Sequence, residues 1–214
     1  MAAITDIGQA EIKLVGHTYF LNPSFLAMTR IGTPEEVVTA MVHVHGGHYP
    51  QHVIRNEQLL QDTRAVCFAR MVKAAALIVQ SCCEEDISHL VGGYAYTPRG
   101  KLVMKKGFMP LEDVLTLARH LIKHGVMGDQ DNEDVAKDGE YTNRFDARSF
   151  VYLAVAHLSM SESEAWNMTM TSFRAAMEAK YPPPPKAKIP SQKNYDQTMD
   201  WAEKLMQRDN NRKH

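Results

Sequence analysis

EQLLQDTRAVCFARMVKAAALIVQSC, residues 57–82, is the longest periodic stretch of the chain. Leu60, Cys67, Met71, Ala74 and Ile78 fall on one helical face and Gln61, Asp62, Arg64 and Lys73 largely on others, which predicts a central amphipathic helix. Just upstream, TPEEVVTAMVHVH at 33–45 begins with a capping hydroxyl at Thr33, a proline at the first helical position and Glu36 where it can close a capping box. A helix to about His45 follows, ended by Gly46-Gly47. These two segments make the protein mainly α.

The pattern changes toward the N-terminus. Residues 11–21 alternate in EIKLV, pass through Gly16-His17 and resume in TYFL, which reads as an N-terminal β-hairpin with a two-residue turn. Asn22-Pro23 stops it, and Phe25, Leu26 and Met28 give a short helical turn before Gly32. Further on, GGYAYTPRGKLVMKKG at 92–107 alternates on both sides of Pro98-Arg99-Gly100, a second hairpin near 94–106. Pro110 then opens a helix striped by Val114, Leu117, Ala118 and Leu121, with Lys123-His124-Gly125 as its stop.

Residues 128–141 are polar and acidic and read as an exposed loop. Helical patterning returns over 148–158, after the capping box at Ser161-Glu162-Ser163-Glu164, and over 170–181. The prolines at 182–185 end a compact helical domain spanning 1–181 and start a stiff spacer, 182–190. A basic helix at 191–214 follows, with Tyr195, Met199, Ala202 and Leu205 on one stripe.

Composition narrows the function classes. With 214 residues, 44% apolar and 23% charged, the chain has ordinary globular proportions, and a net charge of −1 is not the footprint of a nucleic-acid binder. Three cysteines, Cys67, Cys82 and Cys83, do not form a secreted disulfide framework. There is no signal peptide and no apolar run of membrane-spanning length, so a cytoplasmic protein without membrane contact is expected.

The sharpest chemical motif is HVHGGHYPQH, in which His43, His45, His48 and His52 could hold a borderline metal. No Cys, Asp or Glu lies in that stretch, and the spacing of His43 and His45 splays them on a helix, so helix-end and loop histidines are the simpler reading and no metal is expected. Cys82-Cys83 precede Glu84, Glu85 and Asp86, an acidic setting that suppresses thiolate reactivity. Asp129, Asp131, Glu133 and Asp134 lack the sixth-position glycine of a calcium loop, since Asp134 stands there. No phosphate loop, nucleophile elbow or triad spacing is present, and neither an enzyme nor a cofactor is expected.

Thirteen methionines suit adaptable apolar contacts. The densest group of methionine and aromatic side chains is Trp166, Met168, Met170, Phe173 and Met177, which reads either as core or as an apolar protein-binding surface, with Tyr195 and Met199 as a second contact element.

Two segments, EIKLVGHTYFLNPSFLAMTRIGTPEEVV at 11–38 and SESEAWNMTMTSFRAAMEAKYP at 161–182, resemble tail assembly chaperones of long-tailed bacteriophages. The first is similar to that family's opening hairpin, small helix and capped helix, and the second to its ending of helix, tryptophan, Met-Thr and phenylalanine. The two together cover about a quarter of the chain. The resemblance implies a non-enzymatic protein of the bacterial host cytoplasm that binds the apolar helices of the tape measure protein, recruits tail tube protein and self-associates as a homo-oligomer. The alternative is a DNA-associated regulator with a helix-turn-helix near 161–181, although its second helix offers only Arg174 and Lys180 as cations, with Glu178 between them.

Overall fold

In a computed structural model, which describes residues 2–14, 16–46, 57–99, 102–129 and 143–182, the N-terminal alternation becomes strands β1 (Ala10–Leu14) and β2 (His17–Leu21). They pair antiparallel from Ala10 with Leu21 to Leu14 with His17. His17 is therefore a strand residue, paired with Leu14, and not part of the turn. Gly16 has φ +82°, a conformation side chains resist.

Helix α1 (Phe25–Ile31) is capped by the Ser24 hydroxyl, which accepts from the Ala27 N–H at 3.2 Å. Helix α2 (Pro34–Val44) starts at the expected capping box: the Thr33 hydroxyl accepts the Glu36 N–H and the Glu36 carboxylate accepts the Thr33 N–H. Helix α3 (Glu57–Ser81) is the long central helix; it buries Val72, Ala74, Ala75, Ile78 and Val79, while Cys67 and Met71 are half-buried. A short helix α4 (Ser88–Val91), absent from the sequence reading, leads into strands β3 (Gly93–Tyr96) and β4 (Leu102–Lys105), which form the second antiparallel hairpin.

Helix α5 (Leu111–Ile122) buries Val114, Ala118, Leu121 and Ile122. It does not stop at Lys123-His124-Gly125: the turn widens into a π-helix, Lys123–Met127, and ends at Gly128. The reason is packing. Both His124 and Gly125 are buried, and a Cβ on Gly125 would lie 2.7 Å from the Met28 sulfur, so this glycine admits a neighbour and does not terminate the helix. Helices α6 (Ala147–Leu158), α7 (Glu162–Asn167) and α8 (Met170–Lys180) complete the eight α-helices among the described residues, and the fold is mainly α.

The core gathers the buried faces of α1, α2, α3, α5, α6 and α8. Its aromatic centre joins distant segments: Phe25 and Phe145 stack on Phe150 at 5.8 and 5.5 Å, and Phe173 meets Phe25 and Phe150 edge-on at 5.9 and 5.7 Å. Residues 21–25 are held to two remote segments, with Asn22 N–H donating to the Cys82 carbonyl and Phe25 N–H to the Met168 carbonyl. Ser24 and Thr169 form an isolated antiparallel bridge at the same junction.

The chain divides into two units, Met1–Lys180 and Tyr181–His214. Of the second, only Tyr181 and Pro182 are described, both exposed. The expected spacer at 182–190 lies beyond the described residues except for Pro182, and the helix expected at 191–214 lies wholly beyond them. No helix of the described residues is long and apolar enough to cross a membrane.

Candidate functional site

The segment 166–177 separates into floor and walls. Met170 is 1% exposed and Phe173 6%, so both belong to the core, and the expected contact surface is corrected at these two positions. The cause is the aromatic cluster: Phe25 and Phe150 come from elsewhere in the chain to cover Phe173. Met177 is half-buried against the same core. Tyr195 and Met199 lie outside the described residues.

Trp166 and Met168 keep part of their surface open, and they face different clefts on the two sides of α7. Trp166 lines a cavity of about 320 Å³ with Met28, Val37, Phe145 and Ala147 as apolar lining and Thr29, Asp146 and Arg148 as polar groups. Four elements build it: α1 supplies Met28 and Thr29, α2 supplies Pro34 and Val37, the start of α6 supplies Ala147 and Arg148, and α7 supplies Trp166. The indole Nε1 donates to Glu162 Oε1 at 3.2 Å, which fixes the ring on its helix. Asp146 caps α6, accepting from the Arg148 N–H at 3.1 Å and the Ser149 hydroxyl at 2.9 Å. Glu35, in the first turn of α2, pairs at 2.7 Å with Arg144, upstream of α6.

Met168 lines the second cleft, about 330 Å³, with Ile7 and Gln9 on one side and Ser163, Glu164, Asn167, Thr169 and Ser172 on the other. Between Ile7 and Gln9, Gly8 has φ +90° and rests on His124; a Cβ there would lie 2.2 Å from His124 Cβ. His124 is buried, its Nδ1 lies 2.8 Å from the Thr171 hydroxyl, and its ring is 4.6 Å from that of His120. Burial first, and for His124 the neighbouring His120, hold both imidazoles below the usual histidine range. Sequence reading passed over this pair because its buried character depends on Gly8 and Thr171, remote in the chain. The signal available was the i, i+4 spacing of His120 and His124.

The histidine-rich stretch is only partly described. His43 is half-buried and held below the usual range by burial and then by Arg70, while His45 Nδ1 lies 2.9 Å from the Met41 carbonyl. His48 and His52 lie outside the described residues. Among the described residues no three His, Cys, Asp or Glu side chains gather as a metal ion would need. Cys82 and Cys83 are free and buried, and burial pushes both thiols up, away from the reactive thiolate. The outer face of α8 presents Arg174, Ala175, Glu178 and Ala179, one cation against one anion.

Another exposed group escaped the sequence reading. Phe108 follows the second hairpin and is 82% exposed, although its backbone is fixed: its N–H donates to the His89 carbonyl at 3.1 Å, and the Met109 N–H to the Leu90 carbonyl at 3.0 Å.

A family of unknown function, DUF6246, matches residues 21–197. The chain belongs to this family. Every residue lining the Trp166 cleft falls inside the DUF6246 span, as does Phe108, whereas Ile7 and Gln9 of the Met168 cleft and all of β1 precede it. No curated protein and no solved structure matches the chain.

Proposed function

We propose that this DUF6246 protein is a tail assembly chaperone acting in the bacterial host cytoplasm, a binding protein without catalytic activity that shields apolar helices of the tape measure protein and helps recruit tail tube subunits. The Trp166 cleft carries the reading. The half-buried Trp166 over a floor of the core residues Met28, Val37 and Phe145, ringed by Thr29, Asp146 and Arg148, suits one apolar side chain with polar neighbours projecting from an amphipathic helix. Its volume lies near the lower end of the range of about 300–1,000 Å³ for small-ligand sites, matching one large side chain and its flanks.

The test is co-expression with the full-length tape measure protein of the same tail gene cluster, followed by affinity capture and a measurement of the partner's solubility. The expected result is a stable complex that keeps the partner soluble and is lost in Thr29→Arg, a substitution at an exposed position of α1 that fills the cleft mouth. A partner equally soluble alone and never captured would overturn the reading. Salt-dependent duplex DNA binding by the purified chain would replace it with the regulatory alternative.

A further inference from the structure

Charge is segregated along the chain. Residues 63–83 and 87–111 hold seven Lys or Arg and no Asp or Glu, so the rest of the chain supplies the acid that brings the total to −1. Lys13, Arg30, Lys123 and Arg144 each pair with a carboxylate. By contrast, Arg64, Arg70 and Lys73 on α3 and Arg99, Lys105 and Lys106 around the second hairpin are exposed and form no ion pair among the described residues. The carboxylates at the edges of this surface are engaged elsewhere. Glu84 pairs with Arg30 and Glu85 hydrogen-bonds His17, while Glu112 and Asp113 open α5, whose dipole offsets part of their charge.

The fold brings the two groups of cations together. Gly93 of β3 faces α3, where an added Cβ would lie 3.7 Å from the Ala76 Cβ. Lys105 is the cross-strand partner of Gly93, and such partners share one face of a hairpin. Val66, Arg70, Lys73 and Leu77 follow one another at helical spacing along an exposed row of α3, and Ala76 borders that row three residues from Lys73. Apolar side chains are thus interleaved with the cations: Val66, Leu77 and Val103 are exposed, and the Phe108 ring protrudes beyond them. Its backbone has no freedom to withdraw it, because Gly107 crosses so close to α4 that an added Cβ would lie 2.1 Å from the Leu90 carbonyl oxygen.

A fixed, protruding ring, aliphatic groups around it and unpaired cations without a carboxylate between them are the complement of an anionic bilayer surface. Lipid phosphates meet the lysines and arginines, and the apolar groups enter the acyl boundary beneath. Shape favours the same partner, since a soft surface yields to a knob where a folded protein needs a matching pocket. Nucleic acid would use the cations and stack on the ring, but would leave Val66, Leu77 and Val103 in water. We propose that α3 and the second hairpin form a peripheral binding face for anionic membranes, with Phe108 as the inserted side chain and Lys105 and Lys106 on the headgroups. Such contact needs no apolar span and leaves the chain on one side of the bilayer. The inference rests neither on the Trp166 cleft nor on the chaperone reading.

The experiment is co-sedimentation of the full-length chain with vesicles of phosphatidylcholine, with and without phosphatidylglycerol. Binding is expected only where phosphatidylglycerol is present, and should weaken on the order of tenfold as salt rises from about 0.1 M to about 0.5 M. Phe108→Asp and the pair Lys105→Glu with Lys106→Glu, all at exposed positions, should each lower the affinity at least about tenfold. Phe108→Trp should keep it, and lipid brominated in its acyl chains should quench the added indole, a signal that electrostatic contact alone would not give. Vesicles left unbound, binding indifferent to the charge-reversing variants, or an indole beyond reach of the brominated chains would each overturn the proposal. An oligothymidine bound in preference to the vesicles, and released by the same variants, would overturn it by assigning the face to nucleic acid.

Discussion

Phe173 and Phe108 are the same residue in opposite circumstances. Phe173 lies in the segment richest in methionine and aromatic side chains, yet it is 6% exposed and locked among Phe25 and Phe150. Phe108 lies between Lys105-Lys106-Gly107 and Met109, in a stretch with no other aromatic side chain, and is 82% exposed. Local density of apolar side chains therefore says how much surface a segment can bury, while remote parts of the chain decide whether it is buried. Candidate contact residues have to be sought where cover is missing.

The strongest way to break this comparison is to truncate both rings. Phe173→Ala should destabilise the protein by about 3–5 kcal/mol, the usual loss for a buried phenylalanine, whereas Phe108→Ala should leave the monomer within about 0.5 kcal/mol of wild type. Urea unfolding midpoints measure the difference. Equal losses would mean that Phe108 is covered in the isolated chain.

The support of the exposed ring can be tested next. Gly107→Ala places a methyl group against the Leu90 carbonyl and should cost about 1–3 kcal/mol through forced backbone movement. Unchanged stability would show that the crossing of Gly92 and Gly107 is looser than its geometry implies.

A smaller, pH-dependent effect is expected at the His120 and His124 pair. His120 and His124 are held below their ordinary pKa of 6.5, so the folded state binds fewer protons than the unfolded one as the solution becomes acidic. Their packing contributes fully above that value and is lost as pH falls through the lowered folded values. Lys123 lowers both further, while Asp129 and, for His120, the Gly8 carbonyl oppose the shift. Urea midpoints should therefore fall between about pH 7.5 and about pH 5.5, and fall less in His120→Gln. An identical pH dependence in the variant would remove the pair from the explanation.

The parts of the fold that were legible in the sequence are those decided locally. Thr33 with Glu36, and Ser161 with Glu164, satisfy orphan amides within four residues, and both boxes form as read. The second hairpin pairs Gly93–Tyr96 with Leu102–Lys105, the two flanks whose alternation marks them as strands. The Trp166 cleft was not legible, since its lining comes from residues 28–37, 145–148 and 166, and only Trp166 stood out as a single residue. The π-turn was misread for a related reason: Lys123-His124-Gly125 has the composition of a helix end, but Met28 and Gly8 pack on it and convert it to interior structure.

The junction at residues 21–25 also sets a timetable. Its backbone partners are Cys82 and Met168, and the Asn22 side-chain amide reaches the Asn167 carbonyl across 145 positions of chain. At a synthesis rate of about 5–20 residues per second, the ribosome needs about 7–30 s to deliver the second partner after the first strand pair has emerged. During that interval Phe25 is without Phe150 and Phe173, and the nascent chain presents to the cell the aromatic surface that the finished molecule conceals.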